Sequence, residues 1–235
     1  MTCIIGAKGE KGVILISDRL VVRGNEISFE DKIHVFWQGN PIVAIAFSGL
    51  TGIRDKFSKY TSTALIEARV QNLMEVIEGL ENTVQALHER YSPRVASGGE
   101  VIVEAIVTGL SGLKNGNAEL YHLFQQGYAE EEHKFCCIGS AGPFASAFLK
   151  LVYEENMQLE KLLATSGFVI RLIEAMGIDR NVGGGLEAIV VKDGEGIQVL
   201  PNQKIEELMK KTEKEHILKT TSEVFKNLID REIGT

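Results

Sequence analysis

A chain of 235 residues, 44% hydrophobic and 24% charged, is long enough to bury one sizeable core and has the balance of a folded globular protein. A net charge of -7, with no basic tract interleaved with aromatics, argues against nucleic acid or an anionic membrane as the main partner. The longest apolar runs, GVILIS and PIVAIAF, have the length of strands rather than of a membrane-spanning helix. No signal peptide precedes Thr2, and a cytoplasmic location is expected.

The N-terminal third reads as strands. TCIIGAK and GVILISD are short apolar runs joined by the turn GEKG. LVV, EISFE, KIHVFW and PIVAIAF follow. Their period-two alternation is imperfect, as expected of sheets covered on one face by another sheet and on the other by helices. From Thr51 the period becomes helical. Ile53, Phe57, Leu65, Ala68, Val70 and Leu73 suit one helix, and Val76, Leu80, Val84 and Leu87 a second that ends near Tyr91, Ser92 and Pro93. Ser97, Gly98 and Gly99 are loop chemistry.

Strands return with EVIVEAIVTGL and, after the Asn-Gly turn in LKNGN, with AELYHLFQQ. KFCCIG is another strand, and its Cys136 and Cys137 read as small buried hydrophobes. Helices are expected over about Pro143–Glu155 and Leu159–Met176, then a hairpin in EAIVVKDGEGIQVL around Asp193 and Gly194. Lys204 to about Arg231 reads as a long amphipathic helix. Strands, two helices, strands, two helices, strands and a helix fit two antiparallel sheets flanked by helix pairs. The expected fold class is therefore α+β, a four-layer αββα sandwich. Residues 1–235 are expected to form one domain, with a C-terminal helical extension at about 202–235.

Little in the composition suggests a bound group. Three cysteines, two of them adjacent, make no disulfide framework. The five histidines show no HExxH or CxxC-type spacing, so neither a metal nor a cofactor is expected.

The chemistry is concentrated near the N-terminus. Removal of Met1 would make Thr2 an N-terminal threonine, with a hydroxyl nucleophile and a free amine in one residue. An α-amino group titrates near about 7.7–8.0, so it can serve as general base without a histidine. With Met1 in place that nitrogen belongs to a peptide bond and cannot do so. Asp18 and Arg19 end the apolar run GVILIS, and Lys32 stands at the edge of KIHVF. These charges either emerge into solvent or form a buried set. In a buried set, the lysine would lower the pKa of a nearby amine, and Asp18 would be the partner a buried lysine needs. Gly49 in SGLTG fits an ordinary strand-to-helix turn, and Ser140 in GSAG fits a helix N-cap.

These residues, in this order, resemble the proteasome-type N-terminal-nucleophile hydrolases: proteasome β-type subunits and their smaller prokaryotic relatives. The resemblance runs from Thr2 to about Val199. It rests on Thr2, Gly6 and GVILISD ending at Asp18, on RGNEISFEDKIHVF with Lys32 as the catalytic lysine, and on SGLTG with Gly49 as oxyanion donor. It continues with GSAGPFASAF, where Ser140 is the supporting serine, and IDRNVGGGLEAIVV, where Asp179 is the catalytic aspartate. Val182 stands where the family has a second serine, Glu187 departs from the usual ending of that segment, and Asp18 directly adjoins Arg19. The resemblance implies an N-terminal-nucleophile fold and a threonine-type endopeptidase acting on peptides or unfolded proteins. It also implies a homo-oligomer and an acyl-enzyme ester on Thr2. The alternatives are a peptide ligase or transpeptidase using the same ester, or an inactive assembly subunit.

Overall fold

The hairpin predicted at the N-terminus is formed by β1 (Ile4–Gly9) and β2 (Gly12–Asp18). The computed structural model describes residues 2–23, 25–36, 42–67, 72–94, 102–112 and 116–212. In the hairpin Ile4 faces Ser17 and Gly9 faces Gly12. This register carries Thr2 and Cys3 back alongside Asp18, whose N–H donates to the Cys3 carbonyl at 3.2 Å. A tight turn thus brings two residues sixteen apart in sequence to one end of the sheet.

Three more strands complete that sheet, in the order β10 (Phe135–Ile138), β1, β2, β11 (Leu186–Lys192), β12 (Gly196–Leu200). A second five-stranded sheet runs β5 (Ile33–Phe36), β6 (Val43–Gly49), β7 (Val103–Leu110), β8 (Ala118–Leu123), β9 (Ala129–Glu131). All pairings in both sheets are antiparallel. The runs LVV and EISFE join neither sheet and form their own hairpin, β3 (Leu20–Arg23) with β4 (Glu26–Phe29).

Three apolar clusters explain why the alternation in the sequence is blurred. Along β2, Val13 and Leu15 face a cluster shared with Ala44, Ala46, Ile106 and Leu120 of the second sheet. Ile14 and Ile16 face the helix side, together with Ala145, Leu162 and Ile170. Every residue of β2 is buried, because successive side chains point to opposite faces and both faces are covered. The second sheet repeats the scheme: Val43, Ile45 and Phe47 pack with Phe57, Leu80 and Val84.

Among the described residues five α-helices pack on the outer faces: α1 (Thr51–Glu67), α2 (Leu73–Tyr91), α3 (Gly142–Val152), α4 (Leu159–Ala175) and α5 (Asn202–Thr212). Leu73 opens α2 instead of closing α1. Asn72 caps α2 by accepting from the Glu75 N–H at 3.0 Å, while its amide donates to the Glu75 carboxylate at 2.9 Å. The expected helix at Pro143–Glu155 spans Gly142–Val152, because Tyr153 is already extended. The positions Ala68 and Val70, the Ser97–Gly99 loop and part of LKNGN lie outside the described residues, as does the expected C-terminal helix beyond Thr212. No described helix is long and apolar enough to cross a membrane. Among the described residues no cluster of His, Cys, Asp or Glu could hold a metal ion.

Candidate active site

The site is built at the end of the first sheet, where β2 finishes and the chain begins. Asp18 is fully buried and Thr2 is 4% exposed. Asp18 Oδ1 accepts from the Thr2 hydroxyl at 2.7 Å, the Cys3 N–H at 2.8 Å and Lys32 Nζ at 2.7 Å. Its other oxygen accepts the N–H groups of Leu20 and Gly183, both at 3.2 Å. Five donors converge on one carboxylate, which is how a charge survives without water.

Lys32 is 1% exposed and lies just before β5, in the second sheet. Its Nζ donates to Thr2 Oγ1 at 2.5 Å as well as to Asp18. Burial pushes the Lys32 pKa down, Asp18 pulls it back up, and the nearby Arg54 guanidinium lowers it further; the net direction is downward. The lysine is therefore readier to give up a proton than a solvated one. The Thr2 hydroxyl accepts from this ammonium and donates to Asp18, so its oxygen and its proton both have fixed directions.

A second arm serves the Thr2 nitrogen. That nitrogen donates to Ser140 Oγ at 3.2 Å, and the Ser140 hydroxyl donates to Asp179 Oδ2. Asp179 Oδ1 accepts both the backbone and the side-chain N–H of Asn181, each at 2.9 Å. Burial opposes ionisation of Asp179, but the hydrogen bonds from Ser140 and Asn181 outweigh it and hold its pKa below the ordinary value. Ser140 does not cap α3: the N-cap is Ala141, with no side-chain bond. The serine instead links Thr2 to Asp179.

Thr2, Asp18, Lys32, Ser140 and Asp179 thus form one hydrogen-bonded set, whereas Gly49 makes none of its bonds. Gly49 ends β6 with φ +135°, two residues beyond Phe47, whose N–H donates to the Lys32 carbonyl at 3.3 Å. Val182 is buried in the apolar cluster with Ile173 and Leu186, so the position of the family's second serine contributes packing in this chain.

Two contributors were not singled out as site residues in the sequence. Gly139 has φ +92°, and a Cβ there would lie 2.3 Å from the Thr2 carbonyl oxygen and 2.7 Å from Thr2 Cγ2. Gly139→Ala is expected to displace Thr2 and cost about 1–3 kcal/mol of stability. Thermal melts read the effect, and an unchanged melt would refute the contact. The other contributor is Glu187 on β11. Its Oε1 accepts from the backbone N–H of Lys32, from that of Ile33 at 3.1 Å and from the Ser17 hydroxyl at 2.7 Å. Burial pushes its pKa up to about 7, and the nearby Asp31 adds to the rise. A lone acid interrupting the apolar run LEAIVV was the available signal.

A cleft of about 240 Å³ adjoins this set, lined by Glu30, Asp31, His34, Phe47, Arg54, Asp55 and Ser58. Glu30 and Asp31 immediately precede Lys32. Arg54 is paired with Glu30 at 3.0 Å.

The proteasome subunit family model matches residues 1–191. The chain is 26% identical over 210 residues to the proteasome subunit beta of Methanopyrus kandleri, covering 88% of this chain and 95% of that one. It is 26% identical over 198 residues to the proteasome subunit beta of Haloferax volcanii, covering 84% of this chain and 76% of that one. The fold is shared with Anbu, an ancestral beta-subunit, from Yersinia bercovieri, at a TM-score of 0.72 and 15% identity over 90% of this chain and 92% of that one. It is likewise shared with Anbu from Hyphomicrobium sp. strain MC1, at a TM-score of 0.69 and 12% identity over 89% and 92% of the two chains.

Proposed function

Because this chain belongs to the proteasome subunit family, we propose that it is a threonine-type endopeptidase whose nucleophile is Thr2 after loss of Met1. The observation that carries this reading is the buried contact of Thr2 Oγ1 with both Lys32 Nζ and Asp18 Oδ1. A hydroxyl held by an ammonium on one side and a carboxylate on the other is primed to lose its proton. The same reading takes the layered packing of sheets and helices as the four-layer αββα sandwich of N-terminal-nucleophile hydrolases, with residues 1–235 as one domain.

In this mechanism Thr2 Oγ1 attacks a peptide carbonyl carbon, and its proton passes to the freed α-amine with Lys32 alongside. The carbonyl oxygen becomes an oxyanion, for which the Gly49 N–H is the donor. Collapse breaks the C–N bond. The amine returns the proton to the leaving nitrogen, and an ester remains on Thr2. Water, activated by the same amine, then releases the acid. Ser140 and Asp179 orient that amine, and the low pKa of Asp179 keeps an anion beside it at working pH. The cleft lined by Glu30, Phe47 and Arg54 is the place for a substrate side chain, because Glu30 and Asp31 lead directly into Lys32 and the Phe47 N–H donates to the Lys32 carbonyl. Phe144 and Leu151, seven apart on α3 and roughly half exposed, support a homo-oligomer by offering an apolar face.

The test uses an epoxyketone peptide, which closes a ring with both the hydroxyl and the free amine of an N-terminal threonine. Intact mass of the treated protein is expected to show loss of Met1 and a single adduct that maps to Thr2. A Met1-free protein that forms no adduct and turns over no peptide would refute the peptidase reading and leave an assembly subunit. A joined product from two mixed peptides would instead identify a ligase.

A further inference from the structure

Glu187 is a buried acid that the mechanism above does not use. It belongs to the first sheet, through β11, where it faces Ser17 across the β2 pairing. Two of its three hydrogen bonds nevertheless reach into the second sheet, to the backbone at the start of β5. We propose that Glu187 is a positioning residue for Lys32, a clamp between the sheets that fixes where the lysine side chain departs.

Three observations carry this. All three donors, Ser17 Oγ, Lys32 N and Ile33 N, converge on Oε1 alone. One oxygen therefore holds the lysine backbone, and the clamp survives whether or not the carboxyl is protonated. Secondly, Lys32 must sit accurately, because its Nζ spans Thr2 Oγ1 and Asp18 Oδ1 at 2.5 and 2.7 Å. A shift of about 1 Å in such a constellation costs on the order of 100-fold in rate. Thirdly, the Glu187 charge raises the Lys32 pKa, and its own titration near pH 7 lies in the working range.

Glu187 also lines a cleft of about 260 Å³ whose other charged walls are Arg19 and Asp31. Arg19 and Asp31 are paired with each other at 3.0 Å. Lys32, whose backbone N–H the acid accepts, is a further charged residue beside it.

This inference rests on Lys32 as the group that tunes Thr2, and its test separates the two claims. Amide signals of Lys32 and Ile33, and the Lys32 Cε resonance, are followed by NMR from pH 5 to 9. The amides are expected to titrate with a midpoint near 7 in the wild type and to lose that step in E187Q. Glu187→Leu removes the acceptor altogether. It is expected to move the Lys32 Cε resonance and to lower kcat by on the order of 100-fold with KM little changed, and E187Q is expected to restore most of the loss. In E187Q the alkaline limb of kcat/KM should begin at lower pH, because Lys32 then deprotonates more readily. Persistence of the amide titration in E187Q, or an unmoved Lys32 resonance in a folded Glu187→Leu variant, would overturn the proposal. A wild type without turnover would sink the peptidase reading, while the NMR signals would still decide for or against the clamp.

Discussion

Thr2→Ala is expected to take peptide turnover to background, a loss of at least about 1,000-fold. The fold should survive. Removing the hydroxyl deletes one donor to Asp18 and one acceptor for Lys32, but Asp18 and Lys32 still hold each other at 2.7 Å. The buried ion pair therefore keeps its partner, and the cost should stay near about 1–2 kcal/mol for the lost bonds and one methyl group. Thr2→Ser is the informative companion. It retains the nucleophile but loses Cγ2, which fills the space a Cβ on Gly139 would need. Partial activity is expected from it, because the hydroxyl is then held by hydrogen bonds alone. Fluorogenic peptide hydrolysis by Met1-free protein, checked by intact mass, measures all three. Wild-type turnover in the alanine variant would remove Thr2 from the mechanism.

The opposite behaviour is expected at Asp18. Asp18→Ala strands five donors: the Thr2 hydroxyl, the amides of Cys3, Leu20 and Gly183, and the Lys32 ammonium. An uncompensated buried charge costs about 3–5 kcal/mol before the orphaned amides are considered. For a chain of this size that is a fall in melting temperature of roughly 6–20 °C. Adding Lys32→Met removes the stranded charge and should recover part of the loss. The double variant should therefore melt above the single one, an inversion a purely additive account does not give. Activity is lost in both. A melting temperature within about 2 °C of wild type for Asp18→Ala would show that Asp18 is not the centre of the site.

The meeting of Thr2 with Asp18 was legible in the sequence because it is local. A two-residue turn and antiparallel pairing bring Thr2 beside Asp18, so a strand ending in a charge was already a site signal. Lys32 needed the resemblance, since its edge-of-strand position also suits a solvated lysine. The structure joins Ser140 to Thr2 and Asp179 and takes it out of the capping role, a choice that sequence left open because Asp179 lies 39 residues away. Glu187 was noted only as a departure, because its partners lie 154 and 155 residues away on the other sheet and no local pattern encodes them. The misplaced Leu73 has a different cause. Apolar spacing runs on through 65–73 and hides the break, although Asn72 three residues before Glu75 was a readable capping box. The hairpin β3–β4 was legible as two strands, but not as a unit apart from both sheets, since two short apolar runs do not declare their partners.

The near-complete burial of Thr2 has a bearing on timing. Its carbonyl accepts from the Ala141 N–H at 3.3 Å and its nitrogen is held by Ser140, so the folded chain grips the residue on both sides. On the function proposed above, excision of Met1 is expected to compete with the packing of Thr2 against Ser140 and Ala141, so the fraction of molecules with a free Thr2 amine should depend on how early excision occurs.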